Sequence, residues 1–434
     1  MGIMHLVLLL AAGPPPEPLT LREAARLASG EAPSASRARA ETEAAEARAM
    51  VARSRLAPSV SVEAGFLSTD DPVRAFGLAL EQQRFSAESF FAGDPNRPPF
   101  VRDWSAAAAL DWQADLFGSA RAGARAAASA AGARSRLAGR TRDAAALEAI
   151  EAFAAARRAE KAISELAQRR ADADKDLDIA RALHEQGMTT QADPARAEAA
   201  VAQVEAETAG ERAALAGARA RLAALIGSPA ASRPLAELPP AGPVNGPRTG
   251  DRDRDDVAAA KLSAEAAREA AKAASASRFP ALVVQARYEA HAPRPGARWG
   301  DAASVFGGVR APVFAFGGVQ ARVAEASAAA RAAAMSEIET RRFAETQNAE
   351  ARAALEAADS RVAAFARAGT AARRAREIQQ ARYEEGAARL SDLIEVRGAE
   401  LAARLGEAAA VSERAIAEAR LRFALGLPPE GEER

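Results

Sequence analysis

The sequence nearly repeats itself with an offset of 199 residues. Three landmarks align at this offset: a Phe-Gly pair ahead of a predicted helix, a polar turn that ends in glycine, and a leucine-rich helix end followed by glycine. Their first copies lie at 116–121, 184–193 and 222–227, and their second copies lie at 315–320, 383–392 and 421–426. Because a duplicated unit of this size determines the architecture of the chain, we expect two structurally equivalent halves.

Composition limits the classes of partner and of metal site. The 434 residues contain 58 Lys and Arg against 58 Asp and Glu, so the formal net charge is zero. Without a basic surface that releases phosphate counterions, the chain is not expected to bind nucleic acid. There is no cysteine, which excludes a disulfide scaffold and a thiolate metal site.

A short apolar run at the N-terminus predicts secretion. Residues 6–12 are apolar and are followed by Gly13, which predicts a signal peptide over residues 1–13. No other run approaches the ~20 apolar residues that a membrane-spanning helix needs. Any membrane span is therefore expected to consist of strands.

Four segments alternate between apolar and polar residues and predict strands, at 59–67, 104–116, 281–291 and 303–314. In the first of them, Val60, Val62 and Phe66 lie on one face. All three Trp and eleven of the fifteen Phe lie within 58–117 and 279–316. Strands of this length with aromatic ends are typical of the wall of a membrane barrel, although a soluble sheet with one buried face shows the same alternation.

Helix lengths favour the barrel. Residues 120–186 predict one helix of 67 residues, about 100 Å long, and residues 319–385 predict its equivalent in the second half. The shorter predicted helices, 34–56 with 191–226 and 253–277 with 390–425, together nearly equal one long helix in each half. The matched lengths predict a long helix packed antiparallel to two stacked short ones, as in a hollow cylinder.

The predicted domain organisation follows the duplication. The first repeat covers 14–227, with a helical hairpin at 118–226, and the second covers 253–427, with a hairpin at 317–425. A linker rich in Pro and Gly occupies 228–252, and a tail occupies 428–434. The loop 68–103 has no equal in the second half, and we expect it to cap the barrel or to pack on neighbouring helices.

The ordered landmarks resemble those of the TolC-type outer-membrane efflux proteins, over nearly the whole mature chain. The most specific is the turn Arg382-Tyr383-Glu384-Glu385-Gly386, followed by Asp392-Leu393. Further marks are the opening 19–25, the sequences 55–58 and 278–280 ahead of strands, the Phe-Gly pairs ahead of the long helices, and the closing 425–428.

The resemblance implies a mainly α protein with a β-barrel part. In this fold, long antiparallel coiled-coil helices form an α-barrel, and each protomer gives four strands to a trimeric twelve-stranded transmembrane barrel. It implies the outer membrane as location, with the helices extending into the periplasm. The implied role is a passive exit duct for efflux or type I secretion, joined to an inner-membrane pump by a periplasmic adaptor protein. No cofactor, metal or catalytic site is implied.

The resemblance also implies site residues. Asp392 and Glu395 would form a ring of six carboxylates at the periplasmic opening of a trimer, and such a ring favours cations. Asp193 and Tyr383 would help to hold this opening closed. The arginine that usually pairs with the acid at position 193 is replaced here by Ala388, and Arg389 is the next residue. The hairpin tips that would contact the adaptor contain Gly187, Thr190, Gly386, Leu390 and Ser391. The aromatic residues expected at the membrane interfaces are Trp104, Trp112, Tyr288 and Trp299.

Two other classes of function stay open at this point. A soluble periplasmic coiled-coil scaffold or adaptor-like protein would explain the helices, but it would leave the aromatic strands unexplained. An enzyme is disfavoured because no catalytic constellation is legible. The histidines His184 and His291 have no second ligand at metal spacing. Charge on the long helices is expected to be solvated.

Overall fold

The computed structural model describes residues 17–88, 92–240, 254–312, 316–385 and 387–431. The predicted signal peptide, the later part of the predicted linker and Gly386 lie outside these ranges. The helices are α1 (Leu21–Glu31), α2 (Pro33–Ser54), α3 (Pro72–Glu81), α4 (Ser119–Glu185), α5 (Ala192–Ile226), α6 (Ser228–Ala231), α7 (Asp255–Ala276), α8 (Gly318–Glu384) and α9 (Leu390–Ala424). The strands are β1 (Ser59–Thr69), β2 (Val101–Ala114), β3 (Ala281–Ala292) and β4 (Gly300–Arg310).

The duplication is visible in the helices. Helices α4 and α8 contain 67 residues each, and their first and last residues are both offset by 199. Helices α5 and α9 contain 35 residues each, and α2 and α7 contain 22 each. Alanine-rich sequences form such long helices because alanine has the highest helix propensity and its side chain loses no rotamer entropy. The predicted fold class, long helical hairpins with four strands in a duplicated repeat, is confirmed.

The chain divides into two compact units. Unit 1 comprises residues 1–41, 135–258 and 339–434, and unit 2 comprises 42–134 and 259–338. Unit 2 contains one antiparallel sheet with the strand order β1-β2-β3-β4. Its register aligns Val62 with Ala108, Ala108 with Tyr288, and Tyr288 with Ala303.

The two faces of this sheet differ in chemistry. Because directly paired residues share a face, one face collects Val60, Val62, Leu110 and Val305 together with the tryptophans of β2. The opposite face, called here the polar face, carries an ion pair between Arg287 and Glu63 at 3.4 Å. It also carries a hydrogen bond from Gln285 Nε2 to Asp111 Oδ1 at 2.7 Å.

The predicted bounds of two strands, β2 and β4, need correction. Strand β2 starts at Val101 and ends at Ala114, not at Leu116, because the Asp115 carboxylate accepts hydrogen bonds from the backbone N–H groups of Ala120 and Arg121 and so starts α4. Strand β4 runs from Gly300 to Arg310 instead of 303–314. Pro312, which lacks an N–H group, follows its end, and residues 313–314 lie outside the described ranges.

The core of unit 1 uses segments that the sequence did not assign to it. Phe153 and Ile150 of α4 are fully buried against α1, a helix missed because the predicted first helix began at residue 34. Leu19 donates its N–H to Pro234 O and accepts from Ala236 N, so the first part of the predicted linker is packed into this core. The apolar residues Leu19 and Leu235 are buried, whereas several of their neighbours remain exposed.

The two halves of the chain have equivalent helix contacts. In each half, the start of the helix that precedes the first strand packs against the long helix and against the end of the second helix of the hairpin. In the first half, Ala32 between α1 and α2 and Ala35 of α2 pack with Ala145 and Leu225 in a small apolar cluster. In the second half the equivalent place is polar: the buried Arg254 donates to the carbonyl oxygens of Ala344 and Ala424. These two carbonyls belong to the residues 199 positions after Ala145 and Leu225, so the repeat keeps its geometry while its chemistry diverges.

Beside the polar contact of the second half, Asp143 makes the stability of unit 1 depend on pH. Burial raises the pKa of the Asp143 carboxyl from 3.8 to about 6, and the carboxylates of Asp255 and Glu430 add to the rise while Arg140 opposes it. A raised carboxyl pKa means that the folded state binds the proton more tightly than the unfolded state does. The stabilising effect of the proton is complete below pH 4 and is lost as pH rises through about 6.

Replacing Asp143 with asparagine should therefore stabilise the protein above pH 7. We expect a gain of about 2 kcal/mol in the free energy of unfolding, since each pKa unit corresponds to about 1.4 kcal/mol before discounting for partial exposure. The gain should disappear below pH 4. Thermal unfolding at several pH values measures it, with Asp178→Asn, an exposed position on the same helix, as the control. A gain that does not depend on pH would contradict this account.

Candidate functional site

The two hairpin turns, which join α4 to α5 and α8 to α9, are the places to which sequence reasoning assigned function. In the first turn, Gly187 has φ of +70°, a conformation that glycine adopts without strain. It ends α4, since Gly187 N–H donates to His184 O and Met188 N–H donates to Leu183 O. Thr190 is exposed, and Met188 is 70% exposed. The tip therefore offers a solvent-accessible surface.

Asp193 is bound within its own turn. Its carboxylate accepts a short hydrogen bond from Thr189 Oγ1 and lies 3.7 Å from the guanidinium of Arg196. The guanidinium of Arg389 has no ion-pair partner among the described residues of the protomer. An Asp193–Arg389 brace is therefore not formed within one chain.

The second turn places Asp392 as a helix cap. Its carboxylate accepts from the backbone N–H of Arg389 at 3.4 Å and from Ser391 Oγ at 3.2 Å. Such a cap satisfies an N–H group that has no partner inside the helix. Glu395, one turn further along α9, is exposed and Asp392 is half-buried, so both carboxylates remain accessible to ions.

An apolar cluster joins the two hairpins close to these turns. Leu390 and Leu393 of α9 are buried, and Tyr383 of α8 packs against the same group. The residues that they meet on the first hairpin are Ala173, Leu177, Ala180, Ala197 and Val201. The predicted tip residue Leu390 is therefore a packing residue and not a surface contact.

Next to the cluster lies a buried ionic group that sequence reasoning missed. Asp176 is 2% exposed, makes a short ion pair with Arg397 of α9, and lies 3.5 Å from Nη1 of Arg169, which is 7% exposed. Burial lowers the pKa of the Arg169 guanidinium. Burial also raises the pKa of the Tyr383 hydroxyl, and the Asp176 carboxylate raises it further. One carboxylate thus balances two arginines, and it links α4 to α9 where the hairpins meet.

This group continues along α9. The buried Glu400 accepts from Arg404 at 2.6 Å and pairs with Arg376 of α8 at 2.7 Å. Arg404 also reaches Glu165 of α4 at 3.0 Å. These side chains line a groove of about 470 Å³ between the three helices. The helices near the tips are therefore held together by ion pairs as well as by apolar packing.

The expectation that charge on the long helices is solvated is wrong at these positions. A sequence signal existed: Arg169 and Asp176 fall on the same helical stripe as Ala173, Leu177 and Ala180, at spacings of three, four and seven. Charged residues inside an apolar stripe indicate buried ion pairs. The partners on α9, Arg397, Glu400 and Arg404, follow the same spacing.

The sheet of unit 2 carries the aromatic residues predicted at membrane interfaces. Trp104 and Trp112 lie on the apolar face of β2, eight residues apart, which corresponds to about 27 Å at about 3.4 Å per residue. Barrel strands are tilted by about 40°, so this separation corresponds to roughly 21 Å along the membrane normal, close to the ~25 Å apolar band of an outer-membrane barrel. Trp104 packs on Phe66 with ring centroids 4.9 Å apart. At the other end of the sheet, Phe117 stacks on Phe279 at 4.8 Å.

The other two predicted interface aromatics differ in position. Tyr288 pairs with Ala108, so it lies midway between the levels of Trp104 and Trp112. Its hydroxyl donates to Asp301 Oδ2 at 3.3 Å. Trp299 is 41% exposed and comes just before β4.

None of the described helices is long and apolar enough to cross a membrane. In the same ranges, no group of three or more His, Cys, Asp or Glu side chains could hold a metal ion.

Solved structures of outer-membrane proteins share this fold. The outer membrane protein VceC from Vibrio cholerae is similar with a TM-score of 0.75 and 20% identity, over 94% of this chain and 96% of that one. The CmeC outer membrane channel of Campylobacter jejuni has a TM-score of 0.81 and 16% identity, over 94% and 85%. The open state of the MtrE outer membrane channel of Neisseria gonorrhoeae has a TM-score of 0.76 and 21% identity, over 94% and 89%.

Sequence comparison gives the family. No curated protein matches the chain significantly. A sequence model of the outer membrane efflux protein family, however, matches residues 25–228 and 252–427, which is more than half of the chain. The resemblance found in the sequence is thereby confirmed. The chain belongs to the outer membrane efflux protein family, a class of channels and not of enzymes, and its location is the outer membrane, from which it extends into the periplasm.

Proposed function

We propose that the protein is the passive exit duct of a tripartite efflux or type I secretion system. The observation that carries this proposal is the sheet of unit 2. Apart from Asp301 near the Trp104 end, one face carries apolar side chains along about 27 Å of strand between two tryptophans, while the opposite face carries ion pairs. A wall that is apolar toward lipid and charged toward water encloses an aqueous passage.

Closure of that wall requires further copies of the chain. Strands β1 and β4 each pair on one side only in the described sheet, so two edges are left with unsatisfied backbone groups. Such edges are not tolerated in lipid. Three protomers with four strands each give a closed twelve-stranded barrel, the arrangement that the family resemblance implies.

The hairpin tips are proposed to contact the periplasmic adaptor. Their exposed residues include Met188 and Thr190, and an exposed apolar side chain such as Met188 suits a protein contact. The adaptor would join the duct to an inner-membrane pump, which supplies the energy. The duct itself is then expected to have no catalytic activity.

The proposal is tested with purified protein reconstituted in planar lipid. We expect particles of three times the 45.0 kDa protomer mass, a long bore in electron micrographs, and a small ion conductance. Compact particles of single chains that stay soluble without detergent would instead support a periplasmic scaffold and overturn the duct.

We further propose that Asp392 and Glu395 form the cation-selective ring of the periplasmic opening, with Asp193, Tyr383 and Arg389 nearby. Replacing both acids with their amides should weaken block by multivalent cations, and the half-blocking concentration should rise about tenfold or more because six carboxylates lose their charge. The amides preserve the cap of α9. Conductance titrations measure the effect, with Glu198→Gln as a surface control. Unchanged block in the double variant would remove both residues from the ring.

A further inference from the structure

The loop between β1 and β2 folds back over the sheet. Its helix α3 contacts β2, β3 and β4 within unit 2. The contacts lie at the ends of the strands that are remote from the long helices, where β1 and β3 end and β2 and β4 begin. Residues 72–84, which comprise α3 and the turn after it, are called the strap below.

A buried polar cluster fastens the strap. Gln82 is 3% exposed, and its Nε2 donates to Asp103 Oδ1 at 2.9 Å and to Arg102 O at 2.9 Å. Asp103 is 2% exposed, and its Oδ2 accepts from His291 Nδ1 at 2.8 Å. Nδ1 must be the donor, because a carboxylate only accepts. The other ring nitrogen, Nε2, is buried without a partner in the described ranges, so Asp103 fixes the imidazole. One carboxylate therefore connects the strap to both β2 and β3.

Backbone contacts add to this cluster. A Cβ atom on Gly300 would lie 2.3 Å from Glu81 O, so only glycine allows the strap to approach β4 this closely. Gln83 has φ of +51°, which turns the chain sharply after α3. Its side chain donates to Asp301 O at 3.2 Å.

These contacts place the strap on the polar face. Asp103 is eight residues from Asp111 in β2, and His291 is four residues from Arg287 in β3. Because side chains alternate between faces along a strand, both lie on the polar face. Gly300 pairs directly with His291 and shares the same face. The direction in which the missing Cβ of Gly300 would point leads straight into the strap backbone.

We propose that the strap is a constriction at the outer mouth of the channel, held across the polar face by Gln82, Asp103, His291 and Gly300. The inference rests on the proposed function, in which this face lines the lumen. Val73 and Leu80 are 81% and 48% exposed, so in a closed barrel three copies would bring apolar side chains to the rim of an aqueous passage. The strap would then limit the size of solutes that pass the mouth in either direction.

The chain contains no cysteine, so an engineered one reports access to the lumen. Ser304→Cys places a thiol on the polar face of β4, four residues deeper than Gly300. Asn96→Cys places one in the exposed part of the loop that follows the strap. Intact cells are treated from outside with a membrane-impermeant maleimide that carries a bulky polymer, and the rates of modification are compared.

Two independent variants should release the strap. Gly300→Val introduces a Cβ where the backbone of Glu81 lies, and Asp103→Ala removes the shared carboxylate. In both we expect the Ser304→Cys thiol to react about tenfold faster. Asp103→Ala loses a charge-assisted hydrogen bond, which shifts the open population by about this factor, and Gly300→Val forces the strap backbone away from β4. Gly307→Ala, in the same strand with nothing within 4 Å of the added Cβ, should leave the rate unchanged. The Asn96→Cys rate should be constant throughout.

Equal Ser304→Cys rates in the parent, Gly300→Val and Asp103→Ala would overturn the strap. If the Asn96→Cys thiol is protected in intact cells and reacts only after lysis, the loop is not outside and the proposed function fails instead. The Ser304→Cys modification rates are then compared on purified protein, which tests the strap proposal independently of the location of the loop. Equal rates in the parent and in the two strap variants would overturn that proposal as well.

Discussion

Replacing Asp176 with asparagine is expected to open the periplasmic end of the channel and to raise its conductance. The substitution keeps the shape of the side chain but removes the charge that balances Arg397 and Arg169, both of which are largely buried. Breaking a buried ion pair by neutralising one partner typically costs 3–5 kcal/mol, because the remaining charge is left unpaired in a medium of low dielectric constant. This cost falls on the contact between α4 and α9, where the hairpins of one protomer meet. Single-channel recording in planar lipid measures the expected increase.

A matched control lies two residues earlier on the same helix. Asp174 pairs with Arg170 at 2.9 Å, but both side chains are substantially exposed. Asp174→Asn should leave the conductance unchanged, since water replaces the lost ion pair.

A triple variant that lacks the buried charges of Asp176, Arg169 and Arg397 should close the channel again. Asp176→Leu combined with Arg169→Met and Arg397→Met replaces them with apolar side chains. If Asp176→Asn conducts no better than the unmodified protein, the ion group only stabilises the fold and does not gate it.

Replacing Val62 with arginine should prevent assembly in the membrane. Val62 lies in the middle of β1 on the apolar face and is 80% exposed in the protomer, as expected for a residue that faces lipid. An arginine near the midplane of an outer-membrane barrel costs about 2–4 kcal/mol, and a trimer would incur this cost three times. We expect the yield of folded trimer in the outer membrane to fall by at least tenfold. Gel electrophoresis of unheated membrane samples measures it.

The neighbouring residue provides the control for this prediction. Ser61 precedes Val62 in β1 and therefore points to the polar face. Ser61→Arg adds the same charge on the side proposed to face water, and trimer yield should remain close to normal. Comparable losses in both variants would contradict the assignment of the apolar face to lipid and of the polar face to water.

Much of the fold could be predicted because it depends on local periodicity. Alternation with period two marked the strands, and the uninterrupted alanine-rich segments marked α4 and α8 to within one residue at each end. The glycine after each hairpin landmark marked the turns. These signals are local, since they follow from backbone geometry and helix propensity.

The positions of the two hairpin turns were predicted, but the buried ionic group beside them was not. The turn residues near Asp193 and Asp392 were recognised from the repeat, whereas Asp176, Arg169 and Arg397 were not. Asp176 and Arg397 are 221 residues apart in the chain, and only the packing of two hairpins brings them together. The strap shows the same limit, because Gln83 bonds to Asp301 of β4, 218 residues further along the chain, and Asp103 accepts from His291 of β3, 188 residues further along.

The sequence by itself determined the long helices and the four two-faced strands, because each follows a local period. It also determined the duplication and the family, because their landmarks recur in order along the chain. Only the tertiary structure decided which charges are buried, which carboxylate pairs with which arginine, and where the first loop lies. The physical reason is that desolvation and ion pairing depend on what lies opposite a side chain, and a pattern within one helix or strand does not specify its neighbour.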